Sequence, residues 1–225
     1  MTALTRTLAG IEAVDAMFQR AKSQNRSAFL PFVMIGYPSV AESIETVVQL
    51  AELDVDGFEI GVPFSDPLAD GPVIQHASQI ALENGVTVAS GLQAVSQLRA
   101  RGVTQPMFMF SYLNPLLAYG PARFAADLQA AGADGLICPD LPPEESHLLE
   151  DLVQRGLALM FFLSPNSSDD RIPVIAAATT GFIYVVSVTG TTGARRDLPP
   201  DLRDYIARIR QHTDKPLVLG FGIST

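Results

Sequence analysis

Seven short, almost uninterrupted apolar runs constrain this chain more than any other feature of its sequence. They are Ala28–Gly36 (AFLPFVMIG), Gly57–Val62 (GFEIGV), Pro106–Leu113 (PMFMFSYL), Gly135–Leu141 (GLICPDL), Leu157–Ser164 (LALMFFLS), Gly181–Ser187 (GFIYVVS) and Pro216–Ile223 (PLVLGFGI). A strand with one wet face alternates apolar and polar residues, whereas runs without alternation read as strands covered on both faces, as in a parallel sheet. Between them lie stretches with helical character. In Ser39–Leu53 the residues Ile44, Val47, Val48 and Ala51 recur at helical spacing. Pro121–Ala131, Glu144–Arg155 and Pro199–His212 follow, the last opening on prolines suited to a first helical turn. Strand then helix, repeated six times along the chain, is the βαβ signature.

The fold class expected is α/β, a (β/α)8 TIM barrel with about seven strands present and an extra N-terminal helix in the first 25 residues. A doubly wound open sheet is the alternative, but no G-x-G-x-x-G follows the first run. A closed barrel typically takes ~250 residues, and this chain has 225. It stops at Gly222-Ile-Ser-Thr225, straight after the seventh run. The expected organisation is therefore one barrel domain over residues 1–225, a truncated form without its eighth βα unit.

Composition excludes several classes of function. Hydrophobic residues make up 48% of the chain and charged ones 17%, enough for one large core and too little charge for disorder. A formal charge of −9 argues against nucleic acid or an anionic membrane as partner. It leaves room for a phosphorylated small molecule, because backbone N–H groups at a helix N-terminus can hold one phosphate without Lys or Arg. Cys138 is the only cysteine, so no intrachain disulfide forms, and its apolar run reads as the site of a buried structural thiol. His76, His147 and His212 are scattered without metal-ligand spacing, so no metal is expected. The first 25 residues lack the apolar core of a signal peptide and no run nears the ~20 apolar residues of a membrane span, so the expected location is the cytoplasm.

Glu59 is the most informative polar residue, a carboxylate inside the otherwise apolar run Phe58-Glu-Ile-Gly-Val62. Period-two alternation puts Phe58, Ile60 and Val62 under the helices and turns Glu59 and Gly61 to the barrel interior. Burial there raises a carboxyl pKa towards neutrality, as suits a general acid/base; a salt-bridged strand-end Glu is the other reading. Eleven residues on, Asp70 stands on a loop at the same barrel mouth, Pro63-Phe-Ser-Asp-Pro-Leu-Ala-Asp-Gly-Pro72. The pair fits a two-carboxylate site, in which Asp70 is the more exposed member. Both Asp70 and Asp66, which precedes Pro67, also have plain turn-forming explanations. Two Gly-rich segments, Ser187-Val-Thr-Gly-Thr-Thr-Gly-Ala194 and Gly220-Phe-Gly-Ile-Ser224, follow the sixth and seventh runs, where barrels often bind phosphate. They also read as flexible surface loops, the first long and polar enough for a lid. Met107-Phe-Met-Phe110 reads as core whose last residues line an apolar pocket.

Taken together, Leu30-Pro-Phe-Val-Met-Ile-Gly-Tyr-Pro38, Glu59-Ile-Gly-Val-Pro-Phe-Ser-Asp-Pro-Leu-Ala-Asp-Gly-Pro72, Asp140-Leu-Pro-Pro-Glu-Glu145 and Gly220-Phe-Gly-Ile-Ser224 resemble the tryptophan synthase α-subunit family, in order along the whole chain. The resemblance implies a cofactor-free lyase of tryptophan biosynthesis that cleaves indole-3-glycerol phosphate into indole and glyceraldehyde 3-phosphate. It implies that Glu59 protonates indole C3 and that Asp70 accepts the indole N–H. Tyr184 then matches an active-site tyrosine, Thr192 a lid threonine, and Gly193 and Gly222 backbone phosphate contacts. Phe32, Phe110, Ile137 and Leu163 match the indole pocket. The implied partner is a pyridoxal-phosphate β subunit in an α2β2 complex, met by the loop of Asp66 and Pro67 and by the segment from Asn114. Family members continue through an eighth strand whose Gly-Ser completes the phosphate site, so weak or no activity is expected of a chain that stops here. The alternatives are another phosphate-binding barrel such as an indole-glycerol-phosphate synthase or an isomerase, a non-catalytic activator of the β subunit, or a stand-alone lyase releasing indole.

Overall fold

The computed structural model describes residues 8–186 and 201–220. Its strands are β1 (Phe32–Met34), β2 (Phe58–Gly61), β3 (Met107–Phe110), β4 (Gly135–Ile137), β5 (Ala158–Met160), β6 (Phe162–Leu163), β7 (Ile183–Val186) and β8 (Leu217–Gly220). They pair in sequence order, β1 to β5 in one ladder and β6 to β8 in a second, and every pairing is parallel. β5 and β6 share one apolar run. The ladder skips Phe161, yet the Phe161 carbonyl still accepts from Tyr184 N–H at 2.9 Å, and the Leu159 carbonyl accepts from Thr180 N–H at 3.0 Å. Seven apolar runs thus become one curved, α/β-barrel arc of seven strands.

Helices α1 (Gly10–Ser23), α2 (Val40–Glu52), α3 (Pro72–Glu83), α4 (Val88–Ala100), α5 (Leu113–Tyr119), α6 (Pro121–Ala131), α7 (Glu150–Gln154), α8 (Arg171–Ala178) and α9 (Leu202–Arg210) alternate with the strands. Ser39 caps α2, its hydroxyl accepting from Glu42 N–H at 3.2 Å, so that helix starts where the sequence says it should. The stretch expected as one helix over 144–155 is divided: Pro143–Leu149 winds as 3₁₀ and only Glu150–Gln154 is α-helical. Tight 3₁₀ turns are frequent where a helix opens, and the two prolines before Glu144 offer no N–H to an α-type ladder. The long β2–β3 connection holds both α3 and α4, and α4 packs between α2 and α6 on the outside.

Burial on both strand faces is what the unbroken apolar runs demand. An outer cluster joins Phe58, Ile60, Met107, Met109, Leu136, Leu159, Phe161 and Ile183 to the helices. An inner cluster fills the barrel with Phe108, Phe110, Ile137, Ala158, Met160, Phe182 and Tyr184. Residues alternate between the two without slippage across β5 and β6, so the skipped ladder position does not break the pleat.

α1 closes the N-terminal end of the arc, pressing Val14 and Met17 into the inner cluster. Asp134, fully buried, anchors it by accepting from Gly10 N–H at 2.8 Å and from Met107 N–H at 2.9 Å. Arg99 pairs with the same carboxylate at 2.9 Å. Gly10 holds φ +59° where any Cβ would strike the Gly156 carbonyl, so only glycine lets the helix approach this closely. At the other flank, among the described residues β1 and β8 are the two outer strands of the arc. A cleft of about 1740 Å³ lies between them, lined by Leu30, Phe32, Leu217, Val218 and Leu219 and reaching Glu59 and Tyr184. No helix among the described residues is long and apolar enough to cross a membrane.

Candidate active site

The inner face of β2 carries one polar side chain, Glu59. Its register partners are Phe32 on β1 and Phe108 on β3, so it stands in an aromatic layer of the barrel interior. Phe58, Ile60 and Val62 face the helices, as alternation predicts. Glu59 is 4% exposed. Among the described residues its polar neighbour comes from the far wall: Tyr184 on β7 donates its hydroxyl to Oε2 at 3.4 Å. No cation reaches Glu59, so the alternative of a salt-bridged strand end does not hold among the described residues. Burial pushes its carboxyl up to about 8, and the Tyr184 hydrogen bond pulls weakly the other way.

Asp70 lies on the loop after β2, one residue before the N-cap of α3. It remains the more exposed carboxylate of the pair, but the fold buries it too, leaving 7% of its surface open against 4% for Glu59. The reason is tertiary. Tyr112, just past the end of β3, donates its hydroxyl to Asp70 Oδ2 at 3.2 Å and accepts from Ala69 N–H at 3.0 Å, drawing the loop inward. Burial raises the Asp70 carboxyl to about 6 against the lowering effect of that hydroxyl. The Tyr184 hydroxyl is held well above its ordinary range, chiefly by burial and then by the charges of Glu59 and Asp70. The Tyr184 phenol on β7 thus feels the charge of both carboxylates across the barrel interior.

Aromatic rings wall that space. Phe110 meets Phe32 edge-on at 5.6 Å, and Phe162 stacks on Tyr184 at 4.6 Å. Ile137 points inward beside them. Leu163 does not: it lies on the outer face of β6, packed towards the helices, and its neighbour Phe162 takes the inner position. The residue is corrected by one place, because a shift of one along a strand changes the face. Gly220 on β8 is what admits Tyr184. A Cβ there would sit 2.2 Å from the Tyr184 hydroxyl and 2.3 Å from its ring.

Asp66 and Pro67 form an exposed turn, with Leu68 N–H donating to the Asp66 carbonyl at 2.9 Å and Asp70 N–H to that of Pro67 at 3.0 Å. Asn114 is exposed on α5 at the same mouth. Thr192, Gly193 and Gly222 fall outside the described residues. His76, His147 and His212 are exposed, and Cys138 is buried. Tyr112 and Phe162 were missed in the sequence. Alternation from Ala158 and Met160 points to Phe162; nothing local marks Tyr112, which becomes functional only through a loop 42 residues away.

The chain is similar to known proteins along most of its length. The family model for the tryptophan synthase alpha chain matches residues 18–225. The tryptophan synthase alpha chain of Roseiflexus castenholzii is 49% identical over 209 residues, covering 92% of this chain and 80% of the relative. That of Deinococcus radiodurans is 43% identical over 222 residues, covering 97% and 81%. Among solved structures, Mycobacterium tuberculosis tryptophan synthase superposes with a TM-score of 0.88 at 34% identity, over 97% of this chain and 82% of that one. The alpha subunit of Legionella pneumophila gives 0.86 at 32% identity, over 95% and 79%.

Proposed function

Because the chain belongs to the tryptophan synthase alpha chain family, we propose that its two buried carboxyls divide the work of that family's lyase reaction. The reaction is the retro-aldol cleavage of indole-3-glycerol phosphate to indole and glyceraldehyde 3-phosphate, a carbon–carbon lyase step of tryptophan biosynthesis. The chain carries it out in company with the β subunit in an α2β2 complex.

Glu59 donates its proton to indole C3. The bond from C3 to the glycerol carbon then breaks, and the hydroxyl on that carbon loses its proton as the aldehyde forms. The Glu59 carboxylate left behind can take up that proton and return to the acid. Asp70 accepts the indole N–H and stabilises the positive charge that grows on the ring once C3 is protonated. The observation that carries this reading is the pair of buried carboxyls, Glu59 partnered by the Tyr184 hydroxyl and Asp70 by that of Tyr112; burial raises the first to about 8 and the second to about 6. At neutral pH the first holds a proton to give and the second is largely ionised. Tyr184 orients Glu59, and Phe32, Phe110, Ile137 and Phe162 form the apolar slot for the indole ring, excluding water from the proton transfer.

Thr192 keeps its proposed role as the lid threonine, and Gly193 and Gly222 theirs as backbone contacts to the phosphate. The exposed mouth carrying Asp66, Pro67 and Asn114 is the face we assign to the β subunit, with Leu68 as its most exposed apolar residue. The cytoplasm is the compartment proposed for such a biosynthetic enzyme. The test is indole release from indole-3-glycerol phosphate, with and without β subunit, for the parent chain, Glu59→Gln and Asp70→Asn. Loss of at least ~100-fold in both variants is expected, and parent-like turnover by either would remove that carboxyl from the mechanism.

A further inference from the structure

Asp70 is held by Tyr112 and Gln75, which touch it, and by a further residue that does not. The loop from Val62 to Gly71 is tied down at both ends, and Gln75 Nε2 donates to the Asp70 carbonyl at 2.9 Å. At its far end Tyr112 bonds Asp70 Oδ2 and Ala69 N–H. At its near end the hydroxyl of Ser78, on the inner side of α3 and 1% exposed, accepts from Phe64 N–H at 3.0 Å and donates to the Phe64 carbonyl at 3.0 Å. Both backbone groups of Phe64 are thus satisfied by one buried hydroxyl, in a stretch with no strand or helix to serve them. The Phe64 ring in turn lies against the Tyr112 ring, centroids 5.3 Å apart and tilted by 33°. The path runs without a gap from Ser78 to the Phe64 backbone, through the Phe64 ring to the Tyr112 ring, and from the Tyr112 hydroxyl to Asp70.

We infer that Ser78 is a positioning residue for Asp70, acting by seating Phe64 and through it the Tyr112 hydroxyl that holds the carboxylate. This rests on the reading of Asp70 as the group that accepts the indole N–H. A buried serine on a helix is ordinarily satisfied by the carbonyl a turn earlier; here its hydroxyl is spent on a loop 14 residues away. Small displacements of a charge-stabilising group cost rate more than binding, since the charge it meets exists only in the transition state.

The test is steady-state kinetics of indole release for Ser78→Ala, Ser78→Thr, Tyr112→Phe, the double variant Ser78→Ala/Tyr112→Phe, and Asp70→Asn, each assayed with β subunit. Ser78→Ala should lower kcat roughly tenfold with KM changed less than about twofold. Ser78→Thr, which restores the hydroxyl, should recover most of that loss. In the Tyr112→Phe background the Ser78→Ala change should cost less than about twofold, because the contact it serves is already gone. If Ser78→Ala does not fold, Phe64→Leu decides, since it removes the ring and leaves the hydroxyl; the same drop in kcat is expected. Parent-like kcat in Ser78→Ala or Phe64→Leu, or full additivity with Tyr112→Phe, overturns the inference while Asp70→Asn is inactive. An active Asp70→Asn instead overturns the reading of Asp70 itself.

Discussion

Replacing Glu59 by Gln should stabilise the protein above neutrality even as it abolishes catalysis. Burial lifts the folded-state carboxyl from 4.5 to about 8, whereas in the unfolded chain it titrates near its ordinary value. At about 1.4 kcal/mol per pH unit, ionising Glu59 inside the barrel costs about 5 kcal/mol. Since the folded pKa is the higher one, folding loses nothing at this residue below pH ~4.5 and loses progressively more as pH rises towards ~8. The loss is about 2 kcal/mol at pH 6 and about 4 kcal/mol at pH 8. Gln keeps the shape and an oxygen for Tyr184 but has no proton to lose. Urea denaturation of both proteins at pH 6 and pH 8 gives the stability gap at each pH, and any constant packing difference cancels on comparison. The gap should move in favour of Glu59→Gln by about 2 kcal/mol between the two pH values. A gap constant to within ~0.5 kcal/mol would show that Glu59 is not held neutral by burial.

Three further outcomes follow from the same contacts. The pH profile of kcat/KM should be a bell, rising as Asp70 ionises near 6 and falling as Glu59 loses its proton near 8; a plateau up to pH 10 would contradict the acid role of Glu59. Gly220→Ala should fold, as circular dichroism would show, yet lose at least ~10-fold in kcat because its methyl displaces the Tyr184 hydroxyl. Asp134→Ala leaves Arg99, Gly10 N–H and Met107 N–H without their shared acceptor, and should lower stability by about 3–5 kcal/mol in urea while indole release at low temperature stays within about threefold of the parent.

The order of strands and helices, and the turning of Glu59 to the interior, were legible in the sequence. Both depend on local rules: unbroken apolar runs mean two covered faces, and a period of two assigns each residue to one of them. The acidic pair and its spacing were visible for the same reason. The depth of Asp70 was not, because it depends on Tyr112, whose hydroxyl meets it only when β2 and β3 lie side by side. Nor were the roles of Ser78 and Gly220. A small residue announces nothing locally, and its function is set by what folds against it: the Phe64 backbone in one case, the Tyr184 ring in the other. Leu163 shows the limit from the other side, since matching a position without following the pleat picks the neighbour on the wrong face. The chain by itself determined which residues line a barrel and which carboxyls it carries. Only the tertiary structure decided how dry those carboxyls are and what holds them, because desolvation and hydrogen bonding are set by groups far apart in sequence.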